Sequence, residues 1–170
     1  MILGMTTSTF TLLHVLLSLI GIGTGFVVVF GLLAGKRLDG WTAVFLATTV
    51  ATSVTGFGFP FDHLLPSHIV GIVSLVVLAV AIVARYGLHL VGPWRRVYVI
   101  CAVIALYLNC FVLVVQAFLK VEALRTLAPT QSEPPFALAQ GLVLVLFIVL
   151  GARAAIRFPP EALATGRART

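Results

Sequence analysis

The chain has 170 residues, 61% of them hydrophobic and 9% charged, whereas soluble globular domains carry about a quarter charged residues. Nearly every segment is apolar enough to cross a bilayer, so little chain remains for a soluble domain, and folds that need one to enclose a large cofactor are excluded. The net charge of +6 is explained by where the basic residues fall, and it does not call for nucleic acid as a partner.

Charge-free stretches run over 1–35, 40–61, 63–84, 97–119 and 134–152, and a crossing needs about 20 mostly apolar residues. The pattern predicts an all-α polytopic membrane bundle of five transmembrane helices, at about 9–34, 41–59, 67–90, 97–119 and 136–156. Together they make a single domain over 1–156, followed by a short cytoplasmic tail over 157–170.

The first helix follows MILGMTTSTF, which lacks the basic start of a secretory signal, and it reads as a retained span. Gly21 and Gly25, then Gly31 and Gly35, have the four-residue spacing of small residues that lets another helix approach closely. After the turn Lys36 to Gly40, Trp41 suits an interfacial anchor for the second helix. That helix is rich in hydroxyls, at Thr48, Thr49, Thr52, Ser53 and Thr55, which can bond to their own carbonyls or to a neighbour. It ends at Gly56 to Pro60, before an outer loop holding Asp62 and His63.

Pro66 and Ser67 open the third helix, with His68 in its first turn and Arg85 placed to snorkel to headgroups at the inner end. The fourth carries Tyr98, Tyr107, Asn109 and Gln116, together with Cys101 and Cys110 on opposite faces, where they cannot pair with each other. A polar loop ending in PTQSEPP, a candidate lid, leads to the fifth helix, with Gln140 near its outer end.

Lys36, Arg37, Arg85, Arg95, Arg96, Arg153, Arg157, Arg167 and Arg169 fall on one side of these spans, and only Lys120 and Arg125 on the other. The positive-inside rule then places the N-terminus outside and the C-terminus in the cytoplasm, and the expected location is a cell membrane, as a multi-pass protein, taken to be a bacterial inner membrane. The same orientation gathers His14, Asp62, His63, His68, Gln116 and Gln140 toward the outer side. His14 stands out because it interrupts the apolar helical run TLLHVLLSL, and ionisable groups inside a span raise a functional hypothesis.

Imidazole serves as haem ligand, metal ligand or proton carrier. One reading is therefore a redox or ligand-binding protein holding haem b, a metal ion or a quinone. His14, His68, Gln116 and Gln140 would contact the cofactor, and His14, Asp62, His63 and His68 would form the metal set. A bis-histidine haem needs imidazoles at one depth, whereas the expected helix starts put His14 about 5 to 10 Å deeper than His68 at 1.5 Å per residue. A second reading is an accessory subunit whose glycine and threonine faces dock the helices of a larger membrane complex. A third is a transporter or channel formed by a homo-oligomer, with His14 as its gate. Besides protein partners, the lipid bilayer is the expected surroundings. Hydrolase and phosphoryl-transfer chemistry lack their residues, since no phosphate loop, paired intramembrane carboxylates or serine-histidine-acid array occurs.

HVLLSLIGIGTG in the first span, GKRLDGWTAVFLATTVATSVTGF through the second and PSHIVGIVSLVVLAVAIVARY in the third resemble an uncharacterised family of small bacterial multi-span membrane proteins, loosely cytochrome b561-like in layout. That resemblance implies histidines of different helices facing one another, here His14 and His68. It departs at Asp39 and Trp94, where a histidine would be expected in the cytoplasmic turns, and in the added fifth span.

Overall fold

A computed structural model of the chain describes residues 4–59 and 66–159. These form α1 (Thr7–Leu33), α2 (Asp39–Gly56), α3 (Pro66–Ile82) closed by a π turn (Val83–Gly87), α4 (Trp94–Lys120), a short α5 (Glu122–Leu127) and α6 (Pro134–Arg157). Local chemistry sets several boundaries. The Thr6 hydroxyl caps α1 by accepting from the Thr9 N–H at 3.2 Å. Gly35 then leaves that helix at φ +69°, and α6 starts with Pro134 and Pro135, whose missing N–H groups cost nothing in a first turn.

Four helices are long and apolar enough to cross a membrane: Thr7–Leu33, Ser67–Gly87, Trp94–Lys120 and Pro134–Arg157. This is the signature of a multi-pass membrane protein. Among the described residues α2 is not one of them, although a span was expected there. The physical reason is its composition, with Asp39 in the first turn and hydroxyls at Thr42, Thr48, Thr49, Thr52, Ser53 and Thr55.

The helices run up and down. At one end His14 of α1 meets Thr55 of α2, and at the other Gly31 of α1 meets Leu38 just before α2. Gly71 of α3 lies against Phe57 after α2, while Arg85 at the far end of α3 reaches Asp39 at the start of α2. Gln140 early in α6 bonds Phe111 late in α4, and Arg95 early in α4 bonds Phe158 after α6. Each pair is therefore antiparallel over its full length. The ring α1–α2–α3–α4 closes through contacts between α4 and α1, and α6 docks outside it on α4 and α1. Val29, Phe45, Ala81, Tyr98, Val99, Ala102 and Leu106 fill the core of the ring. Only 6% of the apolar stretch of α6 is buried, against 44% for α1, so α6 is the peripheral helix.

This arrangement gives the bundle a histidine end and an arginine end. Lys36, Arg37, Arg85, Arg95, Arg96, Arg153 and Arg157 lie at or near the arginine end, and Lys120 and Arg125 at the histidine end.

Candidate functional site

At the histidine end, the last turn of α2 carries both described candidate histidines. The His14 Nδ1 lies 2.8 Å from the Thr55 hydroxyl. That hydroxyl sits 2.7 Å from the Ala51 carbonyl oxygen, which accepts its hydrogen. Thr55 therefore accepts from the His14 Nδ1–H, and the lone pair of the ring is left on Nε2. Phe59 packs edge-on against the imidazole at 5.3 Å and against Phe10 at 5.1 Å, and Gly56 lies beside the ring.

His68 is 4% exposed and stacks on Phe57 with 5.6 Å between ring centroids. The two imidazoles thus pack against positions only two apart, Thr55 in the last turn of α2 and Phe57 just after it, a step of about 3 Å at helical rise. Counting from helix starts misleads here because α1 begins a turn and more beyond the level at which α3 begins.

The other expected site residues are distributed differently. Asp62 and His63 lie outside the described residues, and among the described ones no three His, Cys, Asp or Glu side chains gather. Gln116 is exposed on α4. The Gln140 Nε2 donates to the Phe111 carbonyl at 3.2 Å, and its buried Oε1 has no hydrogen-bond partner. Among the described residues neither glutamine is hydrogen-bonded to a histidine. The PTQSEPP segment is ordered by Glu133, whose carboxylate accepts from the Thr130 N–H at 3.1 Å, the Thr130 hydroxyl at 2.8 Å and the Ser132 N–H at 3.1 Å. Partial desolvation of Glu133 works upward on its pKa, but these hydrogen bonds outweigh it and hold the carboxyl below its ordinary value. Gln131 ties the segment to the Val115 carbonyl of α4 at 3.0 Å. Cys101 and Cys110 are free thiols.

Toward the bundle centre the hydroxyls of α2 turn inward. The Ser53 hydroxyl donates to Ser74 of α3 at 3.1 Å. The Asn109 amide of α4 approaches Thr49 at 3.4 Å, beside Gly21, where an added Cβ would stand 3.1 Å from the Thr49 hydroxyl.

The arginine end holds a second cluster that the sequence did not announce. Arg85 does not snorkel outward. It is 2% exposed, ion-paired with Asp39, and lies 5.0 Å from the Tyr98 ring and 5.6 Å from the Tyr86 ring. Helix periodicity is the reason, because Ser74, Leu78, Ala81 and Arg85 recur at three- and four-residue steps on the buried face of α3. The helix then closes in the π turn, where the Leu88 N–H reaches back five residues to the Val83 carbonyl at 2.8 Å. Asp39 also pairs with Arg37 at 3.2 Å. A basic residue near an acid at a helix start is too common a pattern to have signalled this pairing. Arg95, likewise buried, donates to the Phe158 carbonyl and, at 3.3 Å, to the Ala155 carbonyl, closing the C-terminal end of α6.

No protein-family model, curated protein or solved structure matches the chain.

Proposed function

We propose that the protein is a five-span inner-membrane protein, with the N-terminus outside and the C-terminus in the cytoplasm, that binds a redox cofactor at its histidine end through His14 and His68. Five crossings are supported by α2 running antiparallel to α1 and α3 over their full length, its polar residues turned toward protein. The orientation rests on the crowding of basic residues at the arginine end.

One observation carries the cofactor reading. The His14–Thr55–Ala51 relay fixes the imidazole as the Nδ1–H tautomer with Nε2 as the basic nitrogen. Ligating histidines are held in this way by the hydrogen bond of their other nitrogen. Two imidazoles suffice as axial ligands for haem b, which would supply one-electron chemistry. A metal ion would need Asp62 or His63 as well.

The test is an ultraviolet–visible spectrum of the detergent-purified protein, oxidised and dithionite-reduced, with elemental analysis of the same sample. A Soret band that shifts on reduction and is lost in His14→Ala and in His68→Ala is the expected result. Metal without a Soret band would move the reading to an ion site, and a colourless, metal-free sample would overturn both. In that event the accessory-subunit reading gains, and the observation favouring it is α6. Its outer face is bare, with Leu138 and Leu142 each 72% exposed. An apolar groove of about 320 Å³ runs between α4 and α6, lined among others by Gly151, Ala152 and Ala155. Co-purification of a stoichiometric partner from mildly solubilised membranes would establish that alternative.

A further inference from the structure

The groove between α4 and α6 runs along one half of the bundle only. Ile100 and Ile104 of α4 and Leu144 and Ile148 of α6 form its walls, and Gly151 and Ala152 leave the space between them. Toward the histidine end the same two helices are drawn together by the Gln140–Phe111 hydrogen bond and by the rings of Phe118 and Phe136, packed edge-on at 5.4 Å. The open part lies in the arginine-end half, since Ile100 comes early in α4 and Ala155, which also lines the groove, comes late in α6. A transmembrane helix of a partner would run through both halves. A slot of about 320 Å³ confined to one leaflet suits an acyl chain instead.

Positive charge collects where this slot meets the headgroups. Arg95, 8% exposed, donates to the Ala155 and Phe158 carbonyls and meets no carboxylate among the described residues. A guanidinium taken out of water with carbonyls alone for company is costly, and an anion close by lowers that cost. Arg96 is exposed and stands four residues before Ile100, on the stripe of α4 that lines the groove, with its side chain directed toward the helix start. Arg153 and Arg157 are exposed at the same end. Asp39 is the one acid there among the described residues, and Arg37 and Arg85 already engage it.

We propose that the groove holds one anionic phospholipid, with an acyl chain laid between α4 and α6 and its phosphate on Arg96, where it also offsets the charge of Arg95. The chain supplies apolar contact to walls that α6, as the peripheral helix, leaves uncovered, and the headgroup supplies the counter-charge that the protein lacks at this end. Neither His14 nor His68 takes part, so the inference stands apart from the cofactor reading and has its own readout.

The experiment is mass spectrometry of the intact full-length chain, released from mild detergent after equilibration with equal amounts of dioleoyl phosphatidylglycerol and dioleoyl phosphatidylcholine. The two lipids share their chains and a phosphate, and only the second carries a compensating ammonium. Wild type is expected to retain one phosphatidylglycerol in preference to phosphatidylcholine by about fivefold, which is what one arginine close to an anionic headgroup supplies. Arg96→Gln should bring the two lipids to parity. Ala152→Phe, which fills the slot from an exposed position on α6, should lose both. Arg153→Gln removes the same charge at the same end, but about 200° round α6 from Gly151, and should leave the preference unchanged. Equal retention of the two lipids by wild type would overturn the proposal. So would equal losses in Arg96→Gln and Arg153→Gln, which would mean a diffuse basic surface. Displacement of the lipid by glycerol phosphate, a headgroup without chains, would show that the groove is not used, and a lipid-free pair of chains would give the groove to a second copy; either result sinks the assignment.

Discussion

Replacing Asp39 by asparagine should destabilise the bundle through Arg85, and the size of the effect follows from how unequally the two partners are buried. The Arg85 side chain is 2% exposed and that of Asp39 70%. Two unit charges at contact distance attract by about 4 kcal/mol at an effective dielectric constant of 20. Water at the exposed carboxylate screens part of that, which brings the expected loss for Asp39→Asn to about 2 kcal/mol. Arg85→Met removes the charge but keeps the stem against Tyr98, losing chiefly the cation–π contact, about 1 kcal/mol. Once the guanidinium is gone Asp39 has nothing buried left to neutralise, so the double variant should be no worse than Arg85→Met alone. The assay is reversible unfolding in mixed micelles titrated with sodium dodecyl sulfate, arranged as a double-mutant cycle. The expected coupling is about 2 kcal/mol, and additivity within about 0.5 kcal/mol would refute the claim that Asp39 is the counter-ion of Arg85.

Further expectations concern sites elsewhere in the bundle. Gly25→Ala would drive a methyl into Leu106 and Phe45 and should cost about 1–3 kcal/mol in the same titration, while Gly23→Ala, with nothing within 4 Å, should cost nothing. His14→Ala and Thr55→Val should each lose about 1 kcal/mol, and their combination little more than either, if the 2.8 Å contact is a true hydrogen bond. His89 lies at φ +51°, so His89→Gly should stabilise the protein by up to about 1 kcal/mol, read as a higher midpoint in the micelle titration. Glu133 has its pKa lowered in the folded chain, so its contribution is present above the ordinary carboxylate value and is lost as pH falls through the folded one. Protection of the Thr130 and Ser132 amides, measured as exchange relative to their intrinsic rates, should therefore fall as pH drops below the ordinary carboxylate range, and Glu133→Gln should abolish it above that range as well.

Much of the fold could be read from apolar runs alone, because a span advertises itself by length and by the absence of charge. Expected and observed helix ends differ by about two or three residues at most places, as helix fraying and capping lead one to expect. The short α5 was hidden in a segment too polar to show periodicity. At α2 length and hydropathy part company, since hydroxyls that are satisfied by neighbouring helices lower the apolarity of a helix without taking it out of the bundle. His14 was conspicuous as the one imidazole in an apolar run, yet no spacing rule could have supplied Thr55, forty-one residues away. Arg85 was misjudged because a basic residue near a helix end was assigned to the headgroups by depth, although helical spacing puts it on the same face as the buried Ser74, Leu78 and Ala81. The two glutamines were grouped with the histidines by depth alone, and depth says nothing of which side of a helix faces which neighbour.

The π turn at Val83–Gly87 is equivalent to a single residue inserted into an α-helix. Deleting one residue there would restore the regular repeat and rotate everything on one side of the deletion by about 100° relative to the other. Arg85 shares the regular buried face of Ser74, Leu78 and Ala81 and would keep its place, while the chain that follows it, with Leu90 at 6% exposure, would be turned away from the bundle. A length change at this place in a related sequence would therefore alter how the third helix is joined to the fourth, and would not be a harmless gap.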